Sequence, residues 1–361
     1  MTEKTGLFGI YNSNRSVDEH WGKNCFNSSF PASLASYMLN KKKKAIYLRL
    51  EESNGSLDVV ADEIEIEDIF NSKGRKLEEL FFSFESRFEP YNKYAFDMID
   101  GIDLVIKDLE GNFLSPLEVK LTVLPDNSTV KKDEDKWGSE LVVRAATTSY
   151  CALGMFDAVS EKKDSIREIF ENVCSSIQMW DNDFEVTHKM SEICDSLNNF
   201  EKQNLENQRP LLMQTLWKTE GQSPILCENA FDIVVWSDYA FSRLFIDSAI
   251  SALPTAKSMN RYMRSTARLA RCLWELSKSN KIRLTDIYRQ MAYSVQTDKE
   301  FAINGTRWRK YVNTPRLLNL SVNQSALNEI IEDGYIEQLR PERRFDQTLY
   351  FTKRINAETD K

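Results

Sequence analysis

The sequence predicts an α/β protein, a mixed β-sheet flanked by helices, with a mainly helical, basic C-terminal lobe. Three observations carry that expectation. Residues 99–126, "IDGIDLVIKDLEGNFLSPLEVKLTVLPD", alternate with the period of two expected of paired strands. Long helical stretches are expected over 146–180 and 184–207, the first with room for a break. Charge is unevenly divided: residues 257–361 hold 20 Lys/Arg against 12 Asp/Glu, whereas the rest of the chain holds 27 against 43. A boundary is therefore placed near residue 250, between an acidic region (1–250) and a basic one (251–361), and 361 residues suffice for one large domain or two ordinary ones.

The elements follow in order. An Asn- and Ser-rich N-terminal arm turns into an apolar helix near 31–40, and the basic turn "KKKKAIYLRLEE" feeds a strand over 45–51. Residues 74–89, "GRKLEELFFSFESRFE", place Leu77, Leu80, Phe81, Phe84 and Phe88 on one helical face, with Pro90 ending the helix. The alternating hairpin comes next, then a charged loop, "DNSTVKKDEDKWGS", and a strand in "ELVVRA". After the long helices, "LLMQTLWKTEG" and "FDIVVWS" read as strands. The remainder is mainly helical and closes in a hairpin around Pro341, "GYIEQLRPERRFDQTLYFTK".

Composition removes several classes of function. No apolar run approaches a membrane span and "MTEKTGLFG" lacks a signal-peptide core, so a cytoplasmic protein is expected. The six cysteines (25, 151, 174, 194, 227, 272) form no CxxC pair, which argues against a zinc knuckle or a disulfide framework. His20 and His188 stand alone, which argues against a His-based nuclease or a His-rich metal site.

The central hairpin carries charge where strands disfavour it. Ile102, Leu104 and Ile106 take one face and Asp103, Val105 and Lys107 the other; across the turn "DLEGN", Leu117, Val119 and Leu121 alternate with Glu118, Lys120 and Thr122. Pairing brings Asp103, Glu118 and Lys120 onto one face. A helix, a strand with Asp, a strand with Glu-x-Lys and a further helix is the order of the PD-(D/E)xK nuclease core. In that chemistry two carboxylates hold Mg²⁺ through oxygen, the metal polarises a phosphate and activates water, and the lysine orients the water and offsets developing charge. A surface hairpin with a cross-strand charge pair is the alternative. Asp97 and Asp100 compete with Asp103 but lie outside the alternating run. Glu85, flanking the apolar face of the expected helix at 74–89, is the candidate for a third acid.

With these residues in place, "GLFGIYNSNR", "WGKNCFNSSFPASLASYM" and "DGIDLVI…LEVKLTVLPD" resemble the HindVP/HgiDI family of type II restriction endonucleases, most specifically over the first 150 residues. The resemblance implies a Mg²⁺-dependent, sequence-specific endonuclease acting on double-stranded DNA at a palindromic six-base-pair site of the type GRCGYC, and paired with a DNA methyltransferase. By motif position it places the family's Asp and Glu-x-Lys on Asp103, Glu118 and Lys120. A palindromic site favours a homodimer, because protein two-fold symmetry then matches that of the DNA.

The basic region supplies the expected DNA contacts. Lys257, Arg261, Arg264, Arg268 and Arg271 recur at helical spacing as one stripe suited to phosphates, with Tyr262, Leu269, Leu273 and Leu276 opposite. Arg307 and Arg309, beside Gly305, are candidates for reading bases, and Trp308 between them for the core. Arg340, Arg343 and Arg344 crowd the tip of the final hairpin, of which Arg343 is the candidate backbone contact. Two other readings keep parts of this picture: a repair or recombination nuclease of the same superfamily, and a DNA-binding regulator whose acidic hairpin is structural. Mg²⁺-dependent cutting of plasmid DNA separates the nucleases from the regulator, and discrete fragments separate the first from the second.

Overall fold

A computed structural model of the chain describes residues 30–125, 140–220, 225–256, 258–293, 299–312 and 314–331. Helix α1 (30–40) leads into the antiparallel hairpin β1 (Ala45–Ser53) and β2 (Ser56–Ile64), then a single turn, α2 (Ile66–Ile69). Three antiparallel strands follow, β3 (Leu80–Ser86), β4 (Ile102–Asp108) and β5 (Phe113–Pro125). Strand β6 (Leu141–Arg144) opens a helical run: α3 (Ala145–Ala158), α4 (Lys163–Ser176), α5 (Asp183–His188) and α6 (Met190–Gln203). Strands β7 (Pro210–Thr219) and β8 (Leu226–Ser237) precede α7 (Asp238–Ala252), α8 (Arg261–Ser279) and α9 (Leu284–Gln290). Strand β9 (Lys299–Ile303), α10 (Gly305–Arg309), β10 (Val322–Asn323) and α11 (Ala326–Ile331) complete the described chain.

One eight-stranded sheet runs β2-β1-β8-β7-β5-β4-β3, with β10 also on β8. It is mixed: β5 is parallel to β7 and β1 parallel to β8, and the other neighbours are antiparallel. This is the flanked mixed sheet the sequence predicts. Because strand side chains alternate between faces, the sheet separates two cores. Leu104, Ile106, Leu117 and Val119 pack with α1, α2 and α11 on one face. Val105, Leu212, Leu216 and Trp236 pack with α3, α6, α7 and α8 on the other, and that core takes residues from both sides of position 250.

Residues 74–89 do not form the expected helix. A 3₁₀ turn (Leu77–Glu79) leads into β3, which buries Leu80, Phe82 and Phe84 in alternation against β4. The run "LFFSFES" fits both periods, and its aromatic residues gain more on a pleated surface beside an available strand edge. The helical stretch 146–180 is interrupted, as allowed for, between α3 and α4. Four of the cysteines, Cys151, Cys174, Cys194 and Cys272, are buried, and burial pushes the Cys194 and Cys272 thiols up to about 12, leaving them protonated. No helix among the described residues is long and apolar enough to cross a membrane.

Candidate active site

The hairpin turn is set by Asp108, whose carboxylate accepts the Glu110 and Asn112 N–H groups at 3.0 and 2.8 Å, while Gly111 takes φ +88°. That turn fixes the register in which Leu104 faces Leu117. Asp103 and Glu118 are the next positions, on the face covered by α3. Asp103 Oδ2 accepts the Val119 N–H at 2.8 Å, so the carboxylate of β4 is tied to the backbone of β5. Lys120 Nζ lies 3.4 Å from the same oxygen and donates a second hydrogen bond to Glu118 Oε1. One ammonium thus stands between two carboxylates on adjoining strands.

Their environments differ. Glu118 is buried, with a side chain 7% exposed, whereas Asp103 and Lys120 are each 22% exposed. Burial first, then the Asp103 charge, pushes the Glu118 carboxyl up to about 7, against the pull of Lys120. Burial on its own would lower Lys120; Glu118 and Asp103 outweigh it and hold the ammonium above its ordinary value. The cluster carries two potential negative charges against one positive charge, with Glu118 buried and Asp103 and Lys120 partly exposed.

Two neighbours went unseen in the sequence. Thr147, in the first turn of α3, has a hydroxyl with no hydrogen-bond partner, and its proximity favours the ionised form of Glu118. Gln214 stands beside Lys120 in the parallel β5–β7 register; its amide donates to Thr122 Oγ1 at 2.8 Å and accepts from Trp236 Nε1 at 3.0 Å. No motif spacing links either residue to Glu118, since both arrive through the β5–β7 crossover.

The competing acids have other work. Asp97 caps α9, accepting the Leu284 and Thr285 N–H groups at 3.0 and 2.8 Å. Asp100 has an exposed side chain, and its carbonyl accepts the Tyr150 hydroxyl at 2.9 Å. Glu85 lies on β3 rather than on a helix. It is exposed at φ +47°, between the Phe84–Leu104 and Ser86–Ile102 pairs and therefore across from Asp103. Among the described residues, no three His, Cys, Asp or Glu side chains gather as a metal site.

A hard divalent cation fits what remains. Mg²⁺ is commonly held by one or two carboxylates, with water and substrate phosphate completing its shell. Asp103 and Glu118 supply such oxygens, with the Lys120 ammonium paired to both.

The arginine stripe points inward, contrary to the exposed face expected of it. Arg264, Arg268 and Arg271 are buried. Arg268 pairs with Glu300 and donates to the Met291 carbonyl at 2.8 Å; Arg264 donates to the Glu300 carbonyl at 2.9 Å; Arg271 pairs with Glu275 at 2.6 Å and lies over the Trp180 ring. The physical reason is that α8 is central: fourteen of its nineteen residues are buried, so neither face is left for solvent. Arg261 is half-buried at the start of α8, Arg307 is exposed, Trp308 is core and Arg309 is half-buried, its Nε donating to the Gly305 carbonyl at 3.3 Å. Lys257, Arg340, Arg343 and Arg344 lie outside the described residues.

The mixed sheet brings Asp103, Glu118 and Lys120 together as the sequence predicts, and comparison with known proteins gives the class and the family. Residues 21–356 match the model of the HindVP restriction endonuclease family. The chain is 33% identical over 350 residues to the type II restriction enzyme HgiDI of Herpetosiphon aurantiacus, covering 96% of both proteins. It is 32% identical over 353 residues to the probable type II restriction enzyme HindVP of Haemophilus influenzae, covering 97% of this chain and 94% of that protein. No solved structure matches the chain. The chain belongs to the HindVP restriction endonuclease family and is an enzyme of the type II restriction class.

Proposed function

We propose that this chain cleaves double-stranded DNA in a Mg²⁺-dependent reaction of the PD-(D/E)xK type, with Asp103 and Glu118 holding the metal and Lys120 acting on the water and phosphate. One observation carries the reading: the Lys120 ammonium sits between two carboxylates presented by paired strands. The order of elements supports it, since the strand with Asp and the strand with Glu-x-Lys are followed by α3 and a crossover to the parallel neighbour β7. The element before them departs from the expected pattern, being strand β3 instead of a helix.

Bound there, Mg²⁺ would polarise the scissile phosphate and lower the pKa of a water molecule. The protein's own groups do the rest. Asp103 is held in place by the Val119 N–H. Glu118, shielded beneath α3 with its carboxyl pushed up to about 7, would release its proton to solvent when a cation binds its oxygens. Lys120, with its ammonium between the two carboxylates, would orient the attacking water and offset the negative charge developing on the phosphate.

By its family, the substrate is a palindromic site of the type GRCGYC, cut by a homodimer whose two-fold axis matches that of the DNA, with a DNA methyltransferase protecting the host's copies. Incubating the purified chain with DNA of known sequence and Mg²⁺, then sequencing the fragment ends, tests this directly. Discrete ends at one six-base-pair palindrome are expected, and ends scattered along the DNA would refute the site-specific reading.

A further inference from the structure

The arginines of α7 and α8 divide into two kinds. Arg243, Arg264, Arg268 and Arg271 each have a carboxylate partner. Arg261 has none among the described residues, and neither does Arg307 of α10. Both line one open groove of about 520 Å³ between the end of α7, the start of α8 and α10. Asn260, Tyr262, Ser248 and Ser251 complete its polar wall, and no acidic side chain lines it.

The groove is built rather than incidental. Arg307 Nη1 donates to Tyr262 Oη at 3.1 Å, Nη2 donates to Ser248 Oγ at 2.9 Å, and the guanidinium lies 4.9 Å from the centre of the Tyr262 ring. The Tyr262 hydroxyl is itself fixed, donating to the Ala302 carbonyl at 2.7 Å. A guanidinium has five N–H donors, and these contacts use two. The cation is held against an aromatic ring with donors unspent, so little side-chain freedom remains to be lost when an anion binds. A solvated arginine would need neither the ring nor the serine.

The groove also connects to the carboxylates. Ala302 pairs with Val142 in the β6–β9 ribbon, and β6 runs directly into α3, whose Thr147 abuts Glu118. We propose that this groove is a phosphate-binding subsite that takes the DNA backbone away from the cleaved bond, with Arg261 and Arg307 as its cations. The assignment rests on the nuclease reading above. It replaces base recognition by Arg307, because a guanidinium fastened to Tyr262 and Ser248 positions backbone and is not free to follow a base edge.

The test measures binding of the full chain to duplexes with Ca²⁺ in place of Mg²⁺, over a range of salt. One duplex carries the mapped cut site and the other has that site scrambled. Arg261→Ala and Arg307→Ala should each weaken both duplexes by the same factor and reduce the slope of log affinity against log salt by roughly one unit. Arg307→Lys, which keeps the charge, should retain the slope. The Arg261 side chain makes no hydrogen bond among the described residues, so an unchanged melting temperature of Arg261→Ala separates its effect from misfolding. An unaltered slope in both alanine variants overturns the subsite, as does a loss confined to the mapped site. The nuclease reading fails separately, if the unmodified chain does not cut DNA in Mg²⁺; that result leaves the salt slopes of the groove variants standing.

Discussion

Two buried charge clusters divide the labour of this protein, and they are built in opposite ways. Around Glu300, the Nη groups of Arg264 and Arg268 meet protein acceptors, the Glu300 carboxylate and the carbonyls of Met291, Ala292 and Glu300 itself, while the Nε of each is left without a partner. Around Lys120, two carboxylates share one ammonium, and burial keeps the Glu118 carboxyl at about 7. The first cluster is closed and holds β9 against α8. The second is under-neutralised and partly exposed, which is the condition for accepting a further cation. A buried charge therefore becomes a functional site where its partners fall short, not merely where charges are numerous.

The largest effect expected from that contrast is loss of chemistry with retention of binding. Asp103→Ala or Glu118→Ala should abolish cleavage while specific DNA binding in Ca²⁺ persists, because removing an anionic ligand does not weaken attraction to phosphate. Full cutting by either variant would remove that residue from the metal site. Next is Lys120: Lys120→Ala should slow cleavage by roughly 10²–10³-fold, the usual cost of one donor to a developing charge. Lys120→Arg should also be poor, since its guanidinium is larger and planar; near-normal turnover would mean that charge alone suffices.

The closed cluster should respond through stability instead. Arg268→Ala leaves Glu300 with a weakened partner set and should cost about 3–5 kcal/mol in denaturant unfolding, with no change in the salt dependence of DNA binding in protein that remains folded. A reduced salt slope would return Arg268 to the DNA surface.

The smallest effect sharpens the comparison by pH. The ordinary value of Glu118 is 4.5 and its folded value is about 7. Between them the folded protein keeps a proton that the unfolded chain has released, so metal-free stability should fall as pH rises from about 4.5 to about 7 and then level off. Glu118→Gln should flatten that stretch of the melting-temperature profile. Protons and metal also compete for the carboxylate, so raising Mg²⁺ should move the acid limb of activity to lower pH. An acid limb that ignores Mg²⁺ would break the link between this carboxylate and the metal.

How much of this was legible in the sequence depended on what each pattern measures. Period-two alternation around Asp103 and Glu118 reports one strand and its neighbour, and both the strands and the convergence of the three charges were visible in it. The run at 74–89 satisfied two periods at once, and only the vacant edge of β4 decides between them. The arginine stripe failed for a different reason. A helical wheel separates two faces of α8 but does not say that both are covered, and Arg264, Arg268 and Arg271 find acceptors in residues 275–300 that no local pattern announces. Thr147 and Gln214 were out of reach for the same reason, being neighbours through tertiary folding alone.

The parallel pairing of β1 with β8 has a consequence in time. Ile46 meets Val234, about 190 residues further along the chain, and β5 meets β7 only after the four helices between them. At roughly 5–20 residues per second of synthesis, strand β1 waits on the order of ten seconds or more for its partner to leave the ribosome. Distant pairings of this kind also carry a large loop-closure cost and fold slowly. The β4–β5 hairpin is local and finished early, but the wall that buries Glu118 is assembled late, so the age of a newly made chain decides when its carboxylates acquire the environment described above.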